Sequence, residues 1–242
     1  MMYYPYSYYG FDLTYIILVL PCILLSLWAS SNVNSTFKKY SRQFSSRRLT
    51  GAEAAQRVLS ANGVRGVRID RVSGNLTDHY DPRTNVIRLS DSVYDSTSVA
   101  AIGVAAHEAG HAVQYARHYA PIHFRAAIIP ITNLGSKLAM PLILLGVVLS
   151  FMGTISTGLI YLGIAAFALS LLFQVVTLPV EFNASRRAMR AIDDAQILTS
   201  EEQRGARKTL TAAAMTYVAA TAVSLAQLLR LLVLFSGRRR DD

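Results

Sequence analysis

LAMPLILLGVVLSFMGTISTGLIYLGIAAFALSLLFQVVTLPV, residues 138–180, runs for 43 residues without a charged side chain. At about 1.5 Å per residue that is too long for one helix across a hydrocarbon core of about 30 Å, so it predicts two spans joined by a tight turn. Met152-Gly153 to Gly158 supplies the break. The first span starts upstream, near Ala126, with Lys137 snorkelling or facing protein and with Pro130 and Pro141 as sites of kinking. The second runs from about Gly158 to Leu178.

Outward from this hairpin, two further apolar runs appear. Leu13 to Ala29 is uncharged, and Leu210 to Phe235 is interrupted only by Arg230. Four spans and no internal repeat are therefore expected. Composition agrees: 52% of the 242 residues are hydrophobic, 16% are charged, and the mean hydropathy is +0.31, more apolar than a soluble domain of this length requires. The first run lacks a basic leader and a small-residue cleavage site, and reads as a retained anchor. The tyrosines of MMYYPYSYYG before it suit either a membrane-interface belt or a loose tail. Cys22, the single cysteine, excludes an intrachain disulfide and reads as packing.

The net charge of +9 raises nucleic acid as a partner. The basic residues cluster beside the apolar runs, however, which is the pattern of membrane topology, so no nucleic acid is expected. Lys38 to Arg48, Arg117, Arg125, Arg186, Arg187, Arg190, Arg204, Arg207 and Lys208 share one side. The positive-inside rule assigns that side to the cytoplasm, although Arg238 to Arg240 dissent.

Residues 50–120 have the composition of a soluble domain. Thr50 and Glu53 form a capping-box signature for a helix ending at Asn62-Gly63. Val64–Val72 and Val86–Leu89 alternate apolar and polar residues, with turn chemistry at Gly74-Asn75 and Asp81-Pro82. A small, mostly antiparallel sheet of two or three strands is expected, followed by a long helix capped within Asp95–Ser98.

That helix carries His107-Glu108-Ala109-Gly110-His111, the HExxH pattern. Histidines four residues apart lie on one helical face and offer adjacent corners of a tetrahedral zinc site. Glu108, turned about 100° away, is placed to act on a water as general base and later as acid to the leaving amine. Ala105, Ala106, Ala109, Gly110 and Ala112 allow close packing around such a helix. The bland alternative is two surface histidines on an amphipathic helix, against which the apolar context argues. The elongated motif with glycine at 114 and histidine at 117 is absent, because those positions hold Gln114 and Arg117; His118 and His123 read as structural. The third ligand is best sought in Glu181, the first charge after the uncharged stretch, where the hairpin returns the chain to the side of His111. A carboxylate there needs a cation nearby, either a metal or Arg186 or Arg187.

Three stretches in order, LTDHYDPR (76–83), VAAHEAGHA (104–112) and LPVEFNASRRA (178–188), resemble the bacterial neutral zinc metallopeptidases of the YugP-like membrane family. The resemblance extends over nearly the whole length. More distantly the chain is similar to the HtpX/Ste24-type membrane peptidases, which add to HExxH a glutamate in a Glu-x-x-Ala-Asp setting. Glu181 and Ala184 fit that setting, and Ser185 stands where the aspartate would be. The Asp78–Pro82 segment has two readings. In one it is an edge strand that pairs with substrate, with His79 or Tyr80 stabilising the oxyanion; in the other it is a turn in which an aspartate bonds its own backbone. Arg186 and Arg187 are similarly open, between oxyanion or substrate-carboxylate contacts and lipid-headgroup anchors.

The expected protein is a mostly α membrane protein with about four transmembrane helices and a small α+β zincin-like domain of the gluzincin type. It divides into a tail and first span (1–36), a cytoplasmic α+β domain with the HExxH helix (37–123), a transmembrane hairpin (124–180), a third-ligand helix with a cytoplasmic segment (181–209), and a last span with a basic tail (210–242). The expected activity is a zinc metalloendopeptidase of the cell membrane, holding one Zn2+ per chain on His107, His111 and Glu181, with Glu108 as base. Membrane or unfolded proteins would be its substrates. The competing class is a non-catalytic zinc-containing membrane scaffold. Structural zinc, however, is usually closed by four ligands, often cysteines, and only three good candidates are visible.

Overall fold

The computed structural model describes residues 13–152 and 157–236. The tyrosine-rich start, most of the predicted turn at 152–157, and Arg238 to Arg240 fall outside that range. A π-helical stretch, Tyr15–Val19, runs into α1 (Leu20–Tyr40). There follow α2 (Gly51–Ala61), β1 (Arg68–Val72), β2 (His79–Asp81), β3 (Val86–Ser90), α3 (Val99–Ala116), α4 (Ala120–Phe151), α5 (Thr157–Asp194) and α6 (Ser200–Ser236). The fold is mostly helical with one small sheet. Four helices are long and apolar enough to cross a membrane: Tyr15–Tyr40, Ala120–Phe151, Thr157–Asp194 and Ser200–Phe235. Each is longer than the apolar run that announced it. Hydropathy marks only the lipid-compatible part of a helix, and the backbone hydrogen bonding continues into the polar flanks. Pro130, Pro141 and Pro179 all lie inside helices.

The chain forms two compact units. The first draws on the described parts of Met1–Trp28, Ile128–Val175 and Val218–Asp242. Ile143, Ile160, Ile164 and Leu231 are buried together at its centre. Gln174 Nε2 donates to Ser224 Oγ at 2.7 Å, pairing α5 with α6 through polar side chains. Leu134, Leu144, Leu145, Val148 and Leu162 point outward, an apolar exterior suited to lipid. Lys137 is exposed, and the Arg230 guanidinium lies 5.2 Å from the Tyr15 ring centroid.

The second unit comprises Ala29–Ala127 and Val176–Tyr217. Its α2 starts as its sequence predicts. Thr50 Oγ1 accepts from Glu53 N at 3.2 Å, and Glu53 Oε2 accepts from Thr50 N at 2.8 Å, which satisfies two otherwise orphaned donors. Ser98 caps α3 by accepting from Ala101 N. A further capping pair, Thr199 and Glu202, opens α6. The same Glu202 also accepts from Ser46 N and Oγ at 2.7 and 2.6 Å, tying the segment after α1 to the start of α6. Its Thr-x-x-Glu spacing was readable in the sequence, but it lies outside the segment that reads as a soluble domain.

The sheet has the order β1–β3–β2. It is mixed rather than mostly antiparallel: β2 pairs antiparallel with β3 across a tight turn, and β1 pairs parallel with β3. Alternation identifies a strand but not its neighbour, and here the chain between β1 and β3 is long enough to bring β1 alongside in the same direction. Val86, Ile87 and Leu89 of the central strand are fully buried. Ile87 and Leu89 join Val58, Leu59, Val99, Ile102, Ala105 and Ala109 in one core, so α3 is held on its sheet side by apolar packing. The remaining edge of β2 is unpaired among the described residues.

Candidate metal centre

His107 and His111 project from one face of α3, with ring centroids 4.7 Å apart and planes at 84°. Facing them is Glu181 of α5, which is 2% exposed. Its Oε2 lies 3.2 Å from His107 Nε2 and 3.5 Å from His111 Nε2, and a ligand atom from each of the three residues falls within 4.8 Å of the others. Gly110 makes this approach possible. A Cβ built on it would meet the Ala184 carbonyl oxygen at 2.6 Å, so only glycine lets α5 come this close.

Supporting contacts orient each donor. Gln114 is fully buried and three residues beyond His111. Its Nε2 donates to Val180 O at 2.8 Å and Asn183 Oδ1 at 3.0 Å. With both amide protons committed, its Oε1 must accept from His111 Nδ1, 3.0 Å away. That contact assigns the proton to Nδ1 and turns the Nε2 lone pair toward Glu181. Ser185, one turn past Glu181 on the same face of α5, places its Oγ 3.1 Å from His107 Nδ1. The serine standing in the aspartate position therefore keeps a contact to the histidine. Arg125 Nη1 donates to Glu181 Oε1 at 3.0 Å, which leaves Oε2 for the imidazoles.

This donor set fits a divalent cation. When Nδ1–H of each histidine is donated outward, three lone-pair-bearing atoms converge, and a positive charge among them is what satisfies all three. Burial acts to lower the pKa of His111, but the hydrogen bond that the protonated ring donates to Glu181 and the charge of Glu108 outweigh it and hold the group above its ordinary value. The pocket thus favours positive charge at this point.

Glu108 lines a cavity of about 280 Å³ together with His107, Glu181, Asp78, Ser185 and Tyr217. Asp78 accepts from Ser90 N at 2.7 Å and Ser90 Oγ at 2.9 Å; burial raises its pKa, and the charge of Glu108 adds to the rise. Asp81 performs the turn role instead, accepting from Arg83 N and Thr84 Oγ1. Thr84 leads the contacts that hold its pKa down at about 2.

His79 and Tyr80 are not brought into this cavity. His79 is exposed, with Nδ1 2.9 Å from Thr77 O, and the Tyr80 hydroxyl donates to Asn85 Oδ1 at 2.7 Å. The neighbouring Asp78, just before β2 and held by Ser90, is the residue of this segment that lines the cavity with Glu108. His118 and His123 stack on each other and His123 meets Tyr115, apart from the three converging donors. Sequence reasoning missed Gln114, which carries no signal of its own; Arg125, read only as a topology charge; and Tyr217, hidden in the last apolar run. Tyr217 lines the cavity together with Glu181.

Residues 15–236 match the family described as "Putative neutral zinc metallopeptidase". The chain is also 44% identical over 228 residues, 94% of its own length and 99% of the relative's, to a protein of Bacillus subtilis (strain 168) named "Putative membrane protease YugP". No solved structure matches it. Matched from the first apolar helix to the last, with the HExxH helix and Glu181 inside the match, the chain belongs to this zinc metallopeptidase family.

Proposed function

We propose that the protein is a membrane-embedded, zinc-dependent endopeptidase of the gluzincin type, with His107, His111 and Glu181 as metal ligands and Glu108 as general base. The observation that carries the reading is the convergence of two imidazole Nε2 atoms on one Glu181 carboxylate oxygen beside the cavity that Glu108 lines. When bound, zinc supplies Lewis acidity, polarising a carbonyl and lowering the pKa of a water.

The chain's own residues do the rest. Gln114 and Ser185 fix the ring orientations, and Arg125 holds the far oxygen of Glu181. Glu108 takes a proton from the attacking water and returns it to the leaving amine. The Tyr217 hydroxyl, which lines the same cavity, donates to the negative charge developing on the carbonyl oxygen. The free edge of β2 gives an extended substrate a strand to pair with. Membrane proteins or unfolded segments near the bilayer suit such a site, and the basic flanks favour the cytoplasmic face.

The test combines metal analysis with cleavage of a casein-like or membrane substrate. Glu108→Gln is expected to retain zinc and lose activity; Glu181→Ala is expected to lose zinc. Continued cleavage by Glu108→Gln, or full zinc content in Glu181→Ala, would overturn these roles. A zinc scaffold predicts metal in the wild type with no cleavage of any substrate.

A further inference from the structure

A second cavity, of about 440 Å³, lies between α5 and α6. Ser185, Leu210 and Ala214 line both this cavity and the one that holds Glu108 and Glu181. The two are therefore neighbours along one wall, and that wall includes the hydroxyl that contacts His107. The second cavity is basic. Arg186, Arg190 and Arg207 line it, against one carboxylate, Asp193, which is already engaged by Gln203 Nε2 at 3.0 Å. None of the three guanidinium groups makes an ion pair or hydrogen bond among the described residues. Three planar, always-charged forks, exposed along one groove, are suited to carboxylates.

We propose that this groove is a substrate subsite for acidic side chains. A peptide whose scissile bond lies at Glu108 would lay the residues on one side of that bond along α5 and α6, with Asp or Glu side chains meeting Arg186, Arg190 and Arg207. The position favours a peptide over a lipid headgroup, because the groove adjoins the catalytic cavity through shared residues. The inference rests on the peptidase reading for its register and deepens it to a substrate class: chains with acidic residues on one flank of the cleaved bond.

The test separates binding from turnover. Full-length Glu108→Gln protein, zinc-loaded in nanodiscs of phosphatidylcholine, is titrated with fluorescent peptides that share an apolar centre and carry Glu or Gln on one flank or the other. Acidic peptide of one flank polarity is expected to bind about tenfold tighter than its Gln counterpart at low salt, with the gap closing near about 0.5 M salt. Replacing all three arginines with Gln is expected to erase the gap; should that protein not fold, Arg190→Gln alone is expected to narrow it about twofold. No gap on either flank, or a gap that survives the arginine substitutions, overturns the proposal. It is equally overturned if the substitutions reduce only affinity for phosphatidylglycerol vesicles, which would make the groove a headgroup site. Cleavage of the neutral peptide by the wild-type protein tests the peptidase reading separately. Absent cleavage with intact discrimination would remove that reading and leave the anionic subsite standing.

Discussion

Gly110→Ala sets two effects of the same methyl group against each other. Alanine in a helix interior is worth about 0.5–1 kcal/mol over glycine, so in an open position the substitution would stabilise α3. At 110 the new Cβ would lie 2.6 Å from the Ala184 carbonyl oxygen and 3.2 Å from its carbonyl carbon. These are backbone atoms of α5, so no side-chain rotation relieves the clash. The shortfall against ordinary contact, which begins at 3.4 Å, is about 0.8 Å. Overpacking costs about 1–3 kcal/mol, and a clash with backbone lies in the upper part of that range, about 2–3 kcal/mol, so the net loss is about 1–2.5 kcal/mol and the fall in Tm about 2–10 °C.

The larger consequence is for the metal. Ala184 shares its helical turn with Glu181 and Ser185, so α5 cannot retreat without taking the proposed ligand Glu181 and the partner of His107 with it. Ligand distances tolerate about 0.2 Å, several times less than the displacement required. Zinc affinity, measured by competition with a chromogenic chelator, is expected to fall at least tenfold, alongside the drop in Tm in detergent. Gly158→Ala is the control, since nothing lies within 4 Å of its added Cβ; it should leave both readouts near wild type. If Gly110→Ala binds zinc like the wild type and melts no lower, close approach of α5 to α3 is not what sets the site.

Gln114→Ala removes the acceptor of His111 Nδ1–H and should lower zinc affinity about 10- to 100-fold in the same titration; unchanged affinity would mean that the imidazole needs no orienting partner. The raised pKa of Asp78 implies that the fold favours its protonated form. Its contribution to stability is therefore complete below the ordinary value of 3.8 and is lost as pH rises through the higher folded value. The Tm difference between Asp78→Asn and wild type, both zinc-free, should accordingly shift in favour of the variant from about pH 4 upward, and a difference independent of pH would refute it.

Much of this protein could be read one residue neighbourhood at a time. Freedom from charge over 138–180, the Thr50–Glu53 cap and the four-residue spacing of His107 and His111 are local properties, because hydropathy and helical periodicity depend on residues a turn or two apart. Glu181 was nameable as a candidate because a carboxylate at the end of a long apolar run demands a cation. What local pattern does not carry is partnership. Gln114 with Val180 and Asn183, Ser185 with His107, and Arg125 with Glu181 join positions more than fifty residues apart in the chain, and β1 beside β3 in parallel is a choice of neighbour that alternation leaves open. Those pairings exist only once α3 and α5 pack closely enough, through Gly110, for short polar side chains to span the gap. Sequence determined which groups could do chemistry; tertiary packing decided which atoms of those groups remain free to do it.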